Sequence, residues 1–557
     1  MSRFGIALFI GLIISGHTQA QQTPEKRTVE IRQAGSAVRD EAKFPGATLL
    51  TKKNNTRVVL FHQGARIESD RAFFYNADNF FKADGEVVFT QGDSLRMDCA
   101  YMEYNGQNQK AKAWGDVVLK RPDMTLRTDT LHMDRIAQEA YYNTPGRIED
   151  QESTLTSNRG RYFMEEKKYR FQSRVHIDNP EYILDSDQLD YYTERDLAYL
   201  YGKSHIVGDT YDIECLRGFY DLNAQRGYFK REATIYYDGK IIQGDSLYFE
   251  DAREYAAATN NISITDPINK SVITGHYGEI FKAKDSAIIT RRALAMNIVE
   301  QDSLFIHADT LVATGPEKDR RLTGFYGVRI YKSDMSGVSD SLYFNENEGI
   351  IKLLKKPLSR RDQQVFTEID FNRTNPVMWF GKSQMSGNEI QLFIEPQNRT
   401  LDTLKILGRV FIIEKDSLDR GGYNQIKGGF LKGNFKNGAL ERIDIDKNTE
   451  VLYYMYAEDT GELIGIDRTD CSSLNMWIEN NAIGSIQFNV QPSGNVFPEE
   501  DIEKNERRLE GFIWKEDQRP KNKEDLFDAE DLKLPLVPIL PMERIDEQLE
   551  PAEENDQ

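Results

Sequence analysis

A seven-residue motif returns along this chain at nearly fixed intervals, and nothing else in the sequence limits the possible folds so tightly. Gly244-Asp245-Ser246-Leu247-Tyr248-Phe249-Glu250 is a clear copy, with others at Gly92–Asp98 and Ser339–Asn345. Degenerate copies carry Gly160/Tyr162, Leu189/Tyr191 and Gly218/Tyr220 where Leu247/Phe249 stand, so first positions fall at 160, 189, 218 and 247, a constant step of 29. Looser copies lie at Ala72/Phe74, Leu131/Met133, Gly278/Ile280, Leu311/Ala313, Ile390/Leu392 and Leu474/Met476. A period of this size, sustained over hundreds of residues, belongs to a stacked architecture in which each repeat buries its apolar face only against its neighbours. Such a stack offers a long surface or groove more readily than a compact pocket.

Each repeat holds two strand-like runs. One resembles Gly85-Glu86-Val87-Val88-Phe89 or Gly115-Asp116-Val117-Val118-Leu119, and the other is the Ser-Leu-x-Phe run. Alternation puts Leu247 and Phe249 on one face and Ser246, Tyr248 and Glu250 on the other. In the Leu95 copy the outward set, Ser94, Arg96 and Asp98, is polar throughout. Asn105-Gly106, Asp238-Gly239 and Asn437-Gly438 are hairpin dipeptides between runs. Burying one Leu and one Phe per repeat contributes roughly 3 to 6 kcal/mol before chain entropy is subtracted, so a repeat is unstable alone and stable in series. The expected fold is all-β: an elongated β-jellyroll solenoid of stacked antiparallel strands, built from ~30-residue repeats.

The length of 557 residues would otherwise suggest several domains. Boundaries follow from where the pattern starts and loosens. Residues 1–20 have the basic start, short apolar run and small residue of a secretory signal, Met1-Ser2-Arg3, Phe4 to Ile14 and Ala20. Whether that segment is cleaved or kept as an anchor stays open. Residues 21–44 read as a linker, 45–350 as the repeat stack and 351–437 as a continued or second stack, with Leu353 to Trp379 breaking the pattern. Residues 438–514 read as an irregular β segment. Residues 515–557 read as an acidic, Pro-containing tail, disordered or peptide-like in its contacts.

Composition excludes several functions. With 71 basic against 90 acidic residues the net charge is −19, which disfavours nucleic acid and an anionic bilayer surface. Three cysteines, Cys99, Cys215 and Cys471, are too few for a disulfide framework, and Cys99 sits at strand spacing from Met97 as a small buried residue. The seven histidines form no His-Glu-x-x-His pair, no Cys-x-x-Cys exists, and Gly381-Lys382-Ser383 lacks the earlier glycine of a phosphate loop. The recurrent Asp93, Asp129, Asp245 and Asp340 lack the glycine context of a calcium nonapeptide and suit turn hydrogen bonding better. The sequence therefore predicts no catalytic residue, no metal and no cofactor.

The run Ala83-Asp84-Gly85-Glu86-Val87-Val88-Phe89-Thr90-Gln91-Gly92-Asp93-Ser94-Leu95-Arg96-Met97-Asp98 resembles the organic-solvent-tolerance (OstA-like) repeat. Ala113–Leu119 followed by Thr128-Asp129-Thr130-Leu131-His132-Met133-Asp134 repeats the match. The repeat occurs in the LptA-like periplasmic bridge of lipopolysaccharide transport and in the N-terminal domain of the outer-membrane translocon. The resemblance implies a jellyroll open along one edge, with acyl chains inside and sugar outside, and end-to-end pairing of edge strands. It implies a non-enzymatic carrier of lipopolysaccharide or a similar glycolipid, located in the periplasm and associating with the outer membrane. Its partners would be other jellyroll components of the transport machinery, or further copies of itself.

The inward residues Leu95, Met97, Leu131, Met133, Leu247, Phe249, Leu342 and Phe344 are the candidates for a lipid groove. Val58, Val59 and Leu60 are the candidates for an N-terminal pairing edge, since that run alternates and lacks proline. The chain is longer than a single bridge protein and lacks the lipid-facing strands of a barrel. The competing reading is a structural or protein-binding β-solenoid with a dry core, and a carbohydrate-active enzyme comes third.

Overall fold

Alternating apolar residues interrupted by fixed two-residue breaks dictate the architecture. The computed structural model describes residues 28–539, except 210, 222, 225, 238, 301, 317–318, 356–374, 417–420, 437, 458 and 480–481. The signal segment therefore lies outside the described residues, as do residues 540–557. The described chain is a succession of antiparallel strands with a few 3-10 turns and no α-helix. The expected all-β jellyroll is thus what the chain forms.

Two units are distinguished: residues 1–238 with 246–253, and residues 239–245 with 254–557. In both, the long strands do not each belong to one sheet. Alternate strands carry a bulge, the strand between supplies the single opposing residue, and both kinds contribute to both layers. Phe80–Gln91 buries Phe81 and Ala83 before its bulge and Val87 and Phe89 after it; Lys168–Asn179 does the same with Phe171 and Val175. The bulges are pairs of residues with positive φ, such as Gly85/Glu86, Ser173/Arg174, Arg231/Glu232 and Arg291/Arg292, and the ladder register shifts at these positions. Two residues then oppose one on the neighbour, and the strand turns a corner.

The recurrent Ser/Thr-Asp of the motif stands at these corners. Ser69, Ser157, Ser186 and Ser339 each donate a hydroxyl hydrogen bond to the carbonyl two residues on, across the corner residue, at 2.9–3.0 Å. The Asp187 carboxylate accepts the Lys203 backbone N–H of the neighbouring bulge at 2.9 Å. Asp245 accepts instead from the side-chain amide of Asn261, while Asp129 and Asp340 accept from the Thr130 and Ser341 hydroxyls. Hairpin ends use a second device. Asn105, Asp134 and Asn345, each the last residue of its strand, accept backbone N–H groups two and three residues on.

Several expected boundaries need correction. Residues 30–39 are not linker: Glu30–Gln33 pairs with Val58–His62, and Ser36–Arg39 pairs with Thr48–Thr51. Most of their side chains, Ile31 and Val38 included, are exposed because these strands cover the end of the first unit, so no apolar alternation marks them. The break at 351 is no boundary either. Ile350–Leu354 and Val377–Phe380 pair with the two halves of the Met335–Asn345 strand, so the interruption falls at a corner and the ladder runs through it. The segment from 438 is regular as far as Phe497, and Ala439–Tyr456 and Leu463–Glu479 are the longest strands among the described residues, while the part from 498 is irregular as expected.

The cores differ between units. In the first unit, one buried cluster gathers residues between Val29 and Val117 and another those between Met124 and Leu200. The second unit has one continuous aliphatic cluster from Ile289 to Met476. From residue 498 the chain leaves the sheet and crosses the second unit as a strap with short 3-10 turns. Ile502 and Leu509 of this strap cover Phe411, Ile413, Leu452, Tyr454 and Ile466. That second covered face explains why Val410-Phe411-Ile412-Ile413 is buried without alternation.

Candidate functional site

An apolar cavity of about 140 Å³ lies inside the first unit, where the two buried clusters meet. Strands Leu95–Asn105, Lys110–Lys120 and Thr125–Asp134 supply one part of its wall, and Arg159–Phe163 and Lys168–Asn179 another. Five of the chain's 13 methionines line it: Met97, Met102, Met124, Met133 and Met164. Unbranched thioethers repack around a guest more easily than branched aliphatic side chains do, so this wall is deformable.

Four of the eight predicted groove residues, Leu95, Met97, Leu131 and Met133, line this cavity. Met97 is buried and the other three are half-buried. The remaining four are elsewhere. Leu247 is buried and Phe249 stacks on Tyr220 at 6.2 Å, outside the cavity wall. Leu342 and Phe344 belong to the packed cluster of the second unit. Copies of one motif are thus equivalent in fold and unequal in surroundings. At the cavity the Tyr142 ring lies against Gly146 and Gly160, where a Cβ on either glycine would overlap it. Gly160 occupies the place held by Leu in regular copies, so the missing side chain is the room the ring uses.

Polar groups near the cavity are paired or kept uncharged, the buried Tyr169 hydroxyl having no hydrogen-bond partner among the described residues. The Tyr142 hydroxyl hydrogen-bonds the Ser157 hydroxyl at 2.8 Å, and burial pushes its pKa up to about 12. Burial likewise raises Tyr162 and carries Tyr169 well above its ordinary value. His132 stacks on Tyr141 at 4.9 Å; burial first and Lys112 second hold its pKa below the usual value, which keeps it uncharged near neutrality. Arg121 pairs with Asp123 at 3.5 Å, and Arg161 with Glu139 at 3.4 Å. The site has the character of a hydrocarbon pocket with paired charges beside it. Among the described residues no cluster of His, Cys, Asp and Glu could hold a metal ion.

The predicted pairing edge is misplaced. Val58, Val59 and Leu60 are buried, and their strand is paired on both sides, with Glu30–Gln33 and with Ala65–Ser69. Among the described residues the edge is formed instead by Glu30–Gln33 and Ser36–Arg39, which present Ile31 and Val38 about 40% exposed (42% and 45%) among charged neighbours. In the second unit, Ala482–Asn489 and Ser493–Phe497 pair with the two halves of Leu463–Glu479.

Comparison with known proteins bears on the same region. Residues 26–187 match the family model described as OstA-like protein, which bears out the resemblance read from the repeats and spans every residue of the cavity wall. Among solved structures the chain is similar to LptH, described as the LptA homologous periplasmic component of the lipopolysaccharide transport device from Pseudomonas aeruginosa. The identity is 15%, over 19% of this chain and 79% of that one, with a TM-score of 0.18. A search of curated proteins finds no match.

Proposed function

We propose that the chain is a periplasmic carrier for lipopolysaccharide or a similar glycolipid, and that the first unit shelters acyl chain in its methionine-lined cavity. The observation that carries this reading is the cavity itself, a space walled by Leu95, Met97, Leu131 and Met133 within the OstA-like stretch. An apolar cavity of this size excludes water and accepts a hydrocarbon guest about as large as benzene. It therefore takes one chain segment as it stands, and the thioether wall must yield for more. Transport by such a carrier needs no catalytic group, and none of the cavity's polar neighbours is arranged as an acid–base or nucleophilic pair.

The end strands give the carrier a means of joining others. Glu30–Gln33 and Ser36–Arg39 offer an edge to another jellyroll sheet, either a transport component or a second copy. The second unit favours the alternative reading for its own part, since its aliphatic core is one continuous buried cluster. We assign it a structural or docking role.

The test is organic extraction of the purified protein followed by mass spectrometry of the lipid fraction. Glycolipid is expected at a substantial fraction of the protein, and Leu131→Trp, which fills the cavity, should reduce it several-fold. Protein that folds and carries no lipid after expression in an envelope that makes glycolipid would overturn the carrier reading in favour of a dry scaffold.

A further inference from the structure

The strap that crosses the second unit is held by a repeated device. The side-chain amide of Gln425 donates to the Arg507 carbonyl at 2.9 Å and accepts the Leu509 N–H at 2.8 Å. Gln384 does the same with the Ile513 carbonyl and the Lys515 N–H, both at 2.7 Å. Asn260 grips both backbone groups of Val537, at 2.9 and 2.8 Å. Arg291, Arg329 and Arg519 add bonds to the carbonyls of Pro535, Leu526 and Gly381, the last running from strap to sheet. Between the clamps, Phe527 rests edge-on against His307 at 4.9 Å and under the Arg292 guanidinium at 5.1 Å.

These contacts have a common logic. A carboxamide offers a donor and an acceptor in one plane, as a neighbouring β-strand does, so each clamp reads main chain and ignores side-chain identity. The clamping amides are almost inaccessible, Gln425 at 0%, Gln384 at 1% and Asn260 at 3% exposed. Buried amides left without partners would each carry their full desolvation penalty. The strands beneath are already bonded to their neighbours in register, so the strap is not part of their ladders. It is a ligand lying on a finished surface.

We infer that this row of amides is a peptide-binding track, occupied in the single chain by residues 507–537, and that the strap of a second copy is its exchange partner. The argument for that occupant is the uncovered surface. A departing strap bares the three amides and the apolar face of Phe411, Ile413, Leu452 and Tyr454, and the segment that covers all of them at the right spacing is another strap. Exchange of an identical element between copies is a low-cost route to association, because every native contact is remade. The tethered strap competes at an effective concentration on the order of millimolar, so exchange is slow to accumulate and must be trapped to be seen.

The experiment uses two full-length chains, one carrying Arg292→Cys and the other Phe527→Cys, mixed with a short bismaleimide crosslinker, because the two side chains meet at their tips and their truncation leaves a gap wider than a disulfide spans. A chain carrying both substitutions tests the seat itself. The double variant should form an intrachain crosslink, and the mixed single variants should accumulate a crosslinked heterodimer that is lost when Gln384→Ala and Gln425→Ala are added to the Arg292→Cys chain. Failure of the intrachain crosslink in folded protein would overturn the seat. An efficient intrachain crosslink with no heterodimer above the background of random pairs would overturn exchange. Neither outcome depends on lipid being bound.

Discussion

At Gly160 the ring of Tyr142 occupies the space a Cβ would need, so the smallest change, Gly160→Ala, forces the ring to move. Overpacking of this kind costs about 1–3 kcal/mol, and here it should also distort the cavity wall, lowering lipid retention along with the melting temperature. At the corners, Asp187→Ala removes the acceptor of the Lys203 N–H and should lower stability by about 1 kcal/mol, with Asp187→Asn recovering most of it, read by chemical denaturation. Burial raises the thiols of Cys99 and Cys215 to about 12, so a thiol reagent should label neither in native protein and both after unfolding. Asp266 has the opposite shift. Burial alone would raise it, but the Arg320 hydrogen bond and two bonds from Asn269 outweigh burial and bring its pKa to about 2 from an ordinary 3.8. A depressed folded pKa stabilises above the unfolded value, so this contribution is complete above about pH 4 and is lost as the pH falls through about 2. Asp266→Asn should flatten the acid limb of the stability profile in that window.

Elements were legible where their two faces differ. The Leu95 copy alternates because one face meets core and the other water, while the Leu131 and Leu247 copies lie on the expected strands without alternating in burial, Ser246 being buried beside Leu247. The strands Glu30–Gln33 and Ser36–Arg39 escaped notice because an end strand has little apolar face to show. The run Val410–Ile413 is misleading for the reverse reason, since the strap buries its second face. Misplacing the pairing edge at Val58–Leu60 followed from the missed strands, because a neighbour unseen leaves the next strand looking like the end. With the edge at its true place, Ile31→Lys with Val38→Lys should abolish end-to-end association in sedimentation experiments. The fold should be unchanged, because both side chains are exposed and charged residues on an edge block pairing.

At the scale of the whole molecule, the repeat announced a jellyroll and not where it would hold anything. Eight motif residues looked alike in sequence, yet only Leu95, Met97, Leu131 and Met133 reach the cavity. One usable signal went unread, the clustering of Met97, Met102, Met124, Met133 and Met164 in a chain otherwise sparing of methionine. The strap's clamps were not legible at all, since Asn260, Gln384 and Gln425 acquire their meaning only from residues more than 80 positions away. The central claim is that one unit carries lipid and the other does not, and site-specific photo-crosslinking in cells tests it most directly. A photoreactive residue at Leu131 or Met133 should capture glycolipid, while the same probe at Leu342, Phe344 or the outward Arg96 should capture little. Equal labelling at all five positions, or labelling strongest at Leu342 and Phe344, would contradict the account.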